Sequence, residues 1–168
     1  MQKPAPSYDE EKRLVALRQL GLLDTPPEER FERIINLAVL IFKVPISYIS
    51  LVEADRQWFK AARGLDFRET ARDISFCQYP ILTLQPLVVP DALLDERFKS
   101  NPLVLNPPKV RFYAGMPIIL KEGLPVATLC LMDVEPRTLS HEEMEILREL
   151  SHIVRREFEL GEALTRLR

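Results

Sequence analysis

The chain has 168 residues, the length of one domain, and its 46% apolar and 29% charged residues are proper to a soluble globular protein. Its 23 Lys and Arg against 25 Asp and Glu leave a formal charge of −2, without the basic excess of a nucleic-acid binder. No run approaches the roughly 18 uninterrupted apolar residues of a membrane span, and the polar opening stretch lacks the apolar centre of a signal peptide.

Two cysteines, Cys77 and Cys130, occur without C-x-x-C spacing, which argues against a disulfide framework or a thiolate zinc site. The expectation is a cytoplasmic protein with neither nucleic acid nor membrane as partner.

The first predicted element is a helix over 9–20, with Leu14, Leu17 and Leu20 on one side, Arg13 and Arg18 off it, and Gly21 as a stop. Thr25, Pro26 and Glu28 read as a capping box with proline at the first helical position. They predict a second helix with Phe31, Ile34, Ile35, Ala38 and Phe42 on its buried face. Leu37, Val39 and Ile41 broaden that face, and Pro45 ends any continuation.

Residues 46–52 are β-branched and aromatic and predict a strand, returned by 57–62 across a polar turn. A charged loop follows over 63–73. Periodicity does not decide between helix and strand for 75–82. A brief strand over 86–89 and a helical turn over 95–100 complete the middle of the chain.

Residues 110–120 and 125–132 are apolar at nearly every position, which predicts a hairpin covered on both faces. Ser140 and Glu143 form a second capping box. Met144, Leu147, Leu150, Val154 and Phe158 carry a helical seam toward residue 165, with Gly161 marking a place where the tail could fray. Hairpins flanked by terminal helices imply an α+β fold with an antiparallel sheet.

Eight strings in order are similar to the GAF domain family, in its bacterial branch found beside histidine kinases and diguanylate cyclases. They are L-D-T-P-P-E-E-R-F (23–31), V-P-I-S-Y-I-S-L-V (44–52), R-Q-W-F-K-A-A-R-G-L (56–65), I-S-F-C (74–77), P-L-V-V-P-D-A (86–92), D-E-R-F (95–98), R-F-Y-A-G-M-P (111–117) and A-T-L-C-L-M-D (127–133). The resemblance covers about residues 10–160 and implies one GAF domain over 1–168, with its core at about 22–160. It implies a GAF/PAS-like arrangement: a central sheet, terminal helices on one face, and a ligand pocket under the middle segment on the other.

Side chains alternate along strands, so Ile49, Leu51, Phe112, Met116, Leu129 and Leu131 form an apolar, helix-facing set. The more polar set faces the implied pocket. It nominates Tyr48, Asp91, Arg111, Tyr113, Thr128 and Cys130 as ligand-binding residues, with Ser50, Trp58 and Cys77 as weaker candidates. The sequence names no cofactor, no metal ligands and no catalytic residue. Neither cysteine is followed by the histidine typical of tetrapyrrole attachment, and Asp95-Glu96-Arg97-Phe98 does not match the cyclic-nucleotide signature. His141 and His152 share a helix face without further ligands.

The resemblance therefore implies a sensory or regulatory module rather than an enzyme. It would bind a small ligand, form a homodimer through its terminal helices, or do both, and act on a signalling protein or output domain, for example in a two-component system. A thiol-dependent reductase of free methionine sulfoxide, acting through Cys77 or Cys130 with Arg72 nearby, is one alternative. A purely structural dimerisation domain is another.

Overall fold

A computed structural model describes residues 3–167. Helix α1 (Glu10–Gln19) starts at Asp9, whose carboxylate accepts from the Glu11 and Lys12 amides. Helix α2 (Glu29–Phe42) buries Phe31, Ile34, Ile35, Ala38 and Phe42 and ends at Lys43 in the left-handed conformation. Leu37 and Ile41 are exposed and Val39 is half-buried, so the apolar face is narrower than the sequence suggests.

The predicted capping box at Thr25 is not formed. The Thr25 hydroxyl donates to the Leu22 carbonyl and accepts from Lys60, and the helix begins after Glu28 with no side-chain cap. Glu28 instead pairs with Arg30 and with Lys60, whose side chain is wholly buried. A buried ammonium needs a carboxylate, and that demand outweighs a local cap.

Strands β1 (Ile46–Val52) and β2 (Arg56–Arg63) form the first hairpin, followed by the edge strand β3 (Glu69–Ala71) inside the predicted charged loop. Gly64 follows β2 with φ +84° where it passes Pro45, and a Cβ there would lie 2.2 Å from the Pro45 carbonyl oxygen. The middle segment carries α3 (Gln78–Thr83), β4 (Leu87–Val89) and α4 (Pro102–Leu105), with 3-10 turns at Arg72–Ile74 and Ala92–Leu94. Residues 96–100 make the expected helical turn, with the Phe98 and Lys99 amides both donating to the Asp95 carbonyl.

Strands β5 (Phe112–Ile119) and β6 (Pro125–Asp133) make the second hairpin, and α5 (His141–Arg166) closes the described chain. Its Ser140–Glu143 capping box forms with both bonds in place, and the helix continues through Gly161.

The six strands pair antiparallel in the order β3-β2-β1-β6-β5-β4, so the two hairpins meet along β1 and β6. Residues of β1, β5 and β6 are buried at nearly every position because both faces are covered. On one face, α2 and α5 pack over Ile49, Leu51, Phe112, Met116, Leu129 and Leu131, the predicted set, with Phe31 against Phe158 at 5.5 Å between ring centres. On the other face, the middle segment packs over Tyr48, Tyr113, Cys130 and Met132.

Arg13 departs most from the sequence reading. Its side chain is wholly buried, its guanidinium donates to the Val52 and Pro125 carbonyls, and Glu10 neutralises it. It staples α1 across the ends of β1 and β6.

Candidate functional site

The register places Cys130 opposite Tyr48 on one side and Gly115 on the other, two residues beyond Tyr113 along β5. Alternation then sends Tyr48, Tyr113, Thr128 and Cys130 to the same face. Gly115 is part of this design: a Cβ there would lie 2.0 Å from the Tyr113 hydroxyl oxygen, so only glycine lets the Tyr113 ring lie flat over the sheet. Across the gap, the middle segment delivers Cys77, whose amide donates to the Ser75 hydroxyl just before α3 begins.

These side chains converge on a buried centre of sulfur and hydroxyl groups. The Cys77 and Cys130 sulfurs are 3.1 Å apart. The Tyr113 hydroxyl lies 3.4 Å from each of them, and the Tyr48 hydroxyl lies 3.5 Å from Cys77 Sγ and 3.8 Å from Met132 Sδ. Thr128 donates to the Cys77 carbonyl at 3.4 Å. Phe76 stacks on Phe98 at 4.1 Å and tilts against Tyr113, while Phe59 packs on Tyr48. Tyr48, Phe76, Cys77, Phe98, Tyr113 and Cys130 are all buried and fill the interval between sheet and middle segment.

Burial pushes the Tyr48 and Tyr113 hydroxyls well above the usual phenol range, and the neighbouring thiols add to that, so both stay protonated at neutral pH. Burial also raises the Cys130 thiol well above its ordinary value. Burial acts on Cys77 in the same direction, but hydrogen bonds from Cys130, Tyr113 and Tyr48 bring its thiol below the ordinary value. Cys77 is the more acidic of the two.

Two of the six nominated residues stand apart. Asp91 accepts from the Leu93 amide and caps a 3-10 turn. Arg111 donates to the Val104 and Val110 carbonyls and fastens the end of α4. Both occupy the rim, beside the backbone bond from the Ala92 amide to the Arg111 carbonyl.

Of the weaker candidates, Cys77 sits at the centre. Ser50 and Ser75 donate to the Gln57 amide oxygen just beyond it, and Trp58 belongs to the helix-side core. Arg72 is bound to Glu10 and the Glu53 carbonyl, away from the thiols it neighbours in sequence. Phe76 and Phe98 were not singled out from sequence. Their placement depends on the path of the irregular segment, which carries no periodic signal.

Open spaces lie outside this centre. One hollow of about 660 Å³ is bounded by Gly64, Leu65, Asp66, Phe67, Pro107 and Pro108, and Leu65 and Phe67 pack against the second core. A groove of about 220 Å³ between α5 and β5 is lined in part by Arg148, His152 and Arg155. Among the described residues no group of three or more His, Cys, Asp or Glu is placed to hold a metal, and no helix is long and apolar enough to cross a membrane.

A six-stranded antiparallel sheet with helices on one face and an irregular segment on the other is the α+β architecture of GAF domains. The chain belongs to the GAF domain family, whose match runs over residues 26–157. It is 43% identical over 155 residues to a cyclic di-GMP phosphodiesterase of Pseudomonas aeruginosa; the match covers 92% of this chain and 26% of that protein, so the chain spans about a quarter of its relative's length.

Solved structures of similar fold include the GAF domain of an Acinetobacter phosphoenolpyruvate-protein phosphotransferase (TM-score 0.66, 15% identity, 92% of this chain and 98% of that one). Another is the free methionine-R-sulfoxide reductase of Neisseria meningitidis in complex with its substrate (TM-score 0.67, 14% identity, 98% and 99%). At these identities the likeness concerns the fold alone.

The phosphodiesterase relative corrects one expectation. The sequence reading set this chain apart from enzymes, whereas a chain this similar forms part of a protein named for its catalytic activity.

Proposed function

We propose that this chain is the sensory and regulatory portion of a cytoplasmic signalling enzyme of the kind that degrades cyclic di-GMP. The observation that carries this reading is the 43% identity to a stretch forming 26% of such an enzyme. In this reading the partner is an output domain, in a phosphodiesterase or in a two-component protein, and the input reaches it through the terminal helices.

Two features support a route for that input. Ile153, Leu160 and Leu164 on α5 and Leu167 at its C-cap are exposed and spaced as a heptad seam, and Leu37 and Ile41 are exposed on α2, which packs beside α5. A second copy of the chain covers such a seam by pairing helix to helix.

The ligand-binding set is Tyr48, Asp91, Arg111, Tyr113, Thr128 and Cys130. The 660 Å³ hollow by Leu65 and Phe67 has the size of a small-molecule site and adjoins the core that holds Tyr48, Tyr113 and Cys130. A ligand reaching that core displaces aromatic side chains and shifts the middle segment. It thereby biases the packing of the helices across the sheet.

The test is to install this chain in the Pseudomonas phosphodiesterase in place of the matching stretch and to follow cyclic di-GMP hydrolysis alongside sedimentation. The expected result is a dimeric, active chimera, with Leu160→Glu/Leu164→Glu weakening association and changing the hydrolysis rate together. Equal rates with the stretch present, deleted or carrying the double substitution would sink the regulatory reading.

A further inference from the structure

We propose that Cys77 and Cys130 form an oxidation site, at which hydrogen peroxide converts the two thiols into an intramolecular disulfide that ties the middle segment to the sheet. This inference stands whether or not a ligand binds at the same place.

The argument begins with placement. The chain has two cysteines, on different elements: Cys77 just before α3 in the middle segment, and Cys130 on the central strand β6. Folding brings their sulfurs to 3.1 Å, although 53 residues separate them in sequence. A movement of about 1 Å, within reach of small χ1 changes, closes that gap to the roughly 2.0 Å of a disulfide. A buried cysteine ordinarily serves as a small hydrophobe. Two packed sulfur to sulfur, with a tyrosine hydroxyl 3.4 Å from each, form an arrangement that apolar packing does not require.

The surroundings favour one order of events. Cys77 lies within hydrogen-bonding reach of the Tyr48 and Tyr113 hydroxyls and the Cys130 thiol, which favour loss of its proton. The Cys77 sulfur attacks one peroxide oxygen and the O–O bond breaks. The departing hydroxide takes the thiol's proton and leaves as water. Sulfur is oxidised to a sulfenic acid and the peroxide oxygen is reduced.

Cys130 then attacks the Cys77 sulfur, the S–O bond breaks and the S–S bond forms. The second hydroxide takes the Cys130 proton. The balance is two thiols and one hydrogen peroxide giving one disulfide and two waters, and a dithiol reductant reverses it. Both thiols are wholly buried, so hydrogen peroxide reaches them when the middle segment opens locally, and the bulk of another chain keeps a foreign cysteine out.

The consequence is mechanical. In the reduced chain, contacts such as the Phe76–Tyr113 ring pair and the hydrogen bond from Thr128 to the Cys77 carbonyl hold the middle segment on the sheet. Oxidation replaces part of that with a covalent bond from β6 to the start of α3, so local opening of the segment slows.

The test treats the full reduced chain with hydrogen peroxide under native conditions, then denatures it, alkylates free thiols and maps the peptides. The expected result is loss of both thiols together and a dithiol-reversible peptide joining Cys77 to Cys130. A non-reducing gel shows a single-chain band, and amide exchange in α3 is slower than in the reduced protein. In Cys130→Ser, Cys77 stops at a sulfenic acid that dimedone captures, whereas Cys77→Ser leaves Cys130 slower to react. Alkylatable thiols surviving in the wild-type chain, cysteines carrying added oxygen without a cross-link, or disulfides joining two chains would each overturn the proposal. The wild-type map decides the matter even if a serine variant does not fold.

Discussion

Gly115 shows how one residue can set a whole layer. Without a Cβ it leaves room for the Tyr113 ring, and that ring in turn positions a hydroxyl between two sulfurs. Gly115→Ala drives a methyl to 2.0 Å from that hydroxyl oxygen and 2.6 Å from the ring carbon bearing it. The ring is hemmed in by Phe76 and Cys77 and has nowhere to swing. Overpacking of this kind costs about 1–3 kcal/mol, and a urea titration should show the midpoint falling accordingly.

Arg13 acts at the same scale on the opposite end of the sheet. Arg13→Met keeps the apolar stem but removes the donor to the Val52 and Pro125 carbonyls, which predicts a loss of roughly 2 kcal/mol by the same titration. Helical periodicity could not reveal this burial. An arginine in α1 reads as solvent-facing until the strand ends it caps are known.

At the scale of elements, agreement with the sequence follows how local the signal is. Strand β1, the β5–β6 hairpin and α5 carry their instructions in contiguous residues, and they appear where β-branched and apolar runs and capping put them. The start of α2 is the counterexample, because Thr25 and Glu28 answer to Lys60 on β2 rather than to their own helix. The candidate site divides along the same line. Alternation and strand identity brought Tyr48, Tyr113, Thr128 and Cys130 together, whereas Cys77 and Phe98 lie on a segment whose path only tertiary packing decides.

The capping box of α5 offers a clean test of a local signal. Ser140→Ala leaves the Glu143 amide without its acceptor and should cost about 1 kcal/mol, read as a lower thermal midpoint with no change in the Cys77–Cys130 chemistry.

For the whole molecule, the two cores are held together by buried cations at the sheet's margins, and this makes stability depend on pH. Arg13 and Lys60 are wholly buried, and their counter-charges are Glu10 and Glu28. Burial alone would raise both carboxyls. The guanidiniums of Arg13 and Arg72 outweigh it at Glu10, and Lys60 and Arg30 outweigh it at Glu28, so both lie below their ordinary value of 4.5.

A carboxyl whose pKa is lower in the folded state than in the unfolded chain binds fewer protons when folded, so its contribution is complete above about 4.5. That contribution is lost as pH falls through the folded values, where protonation leaves two buried cations without their counter-charges. Denaturant midpoints measured from neutral pH downward should therefore hold steady to about 4.5 and then fall. In Glu10→Gln/Glu28→Gln the midpoint should start lower at neutral pH and fall less steeply below it. An acid limb as steep in the double variant as in the wild type would assign the loss to other carboxylates and leave the two margins as packing features alone.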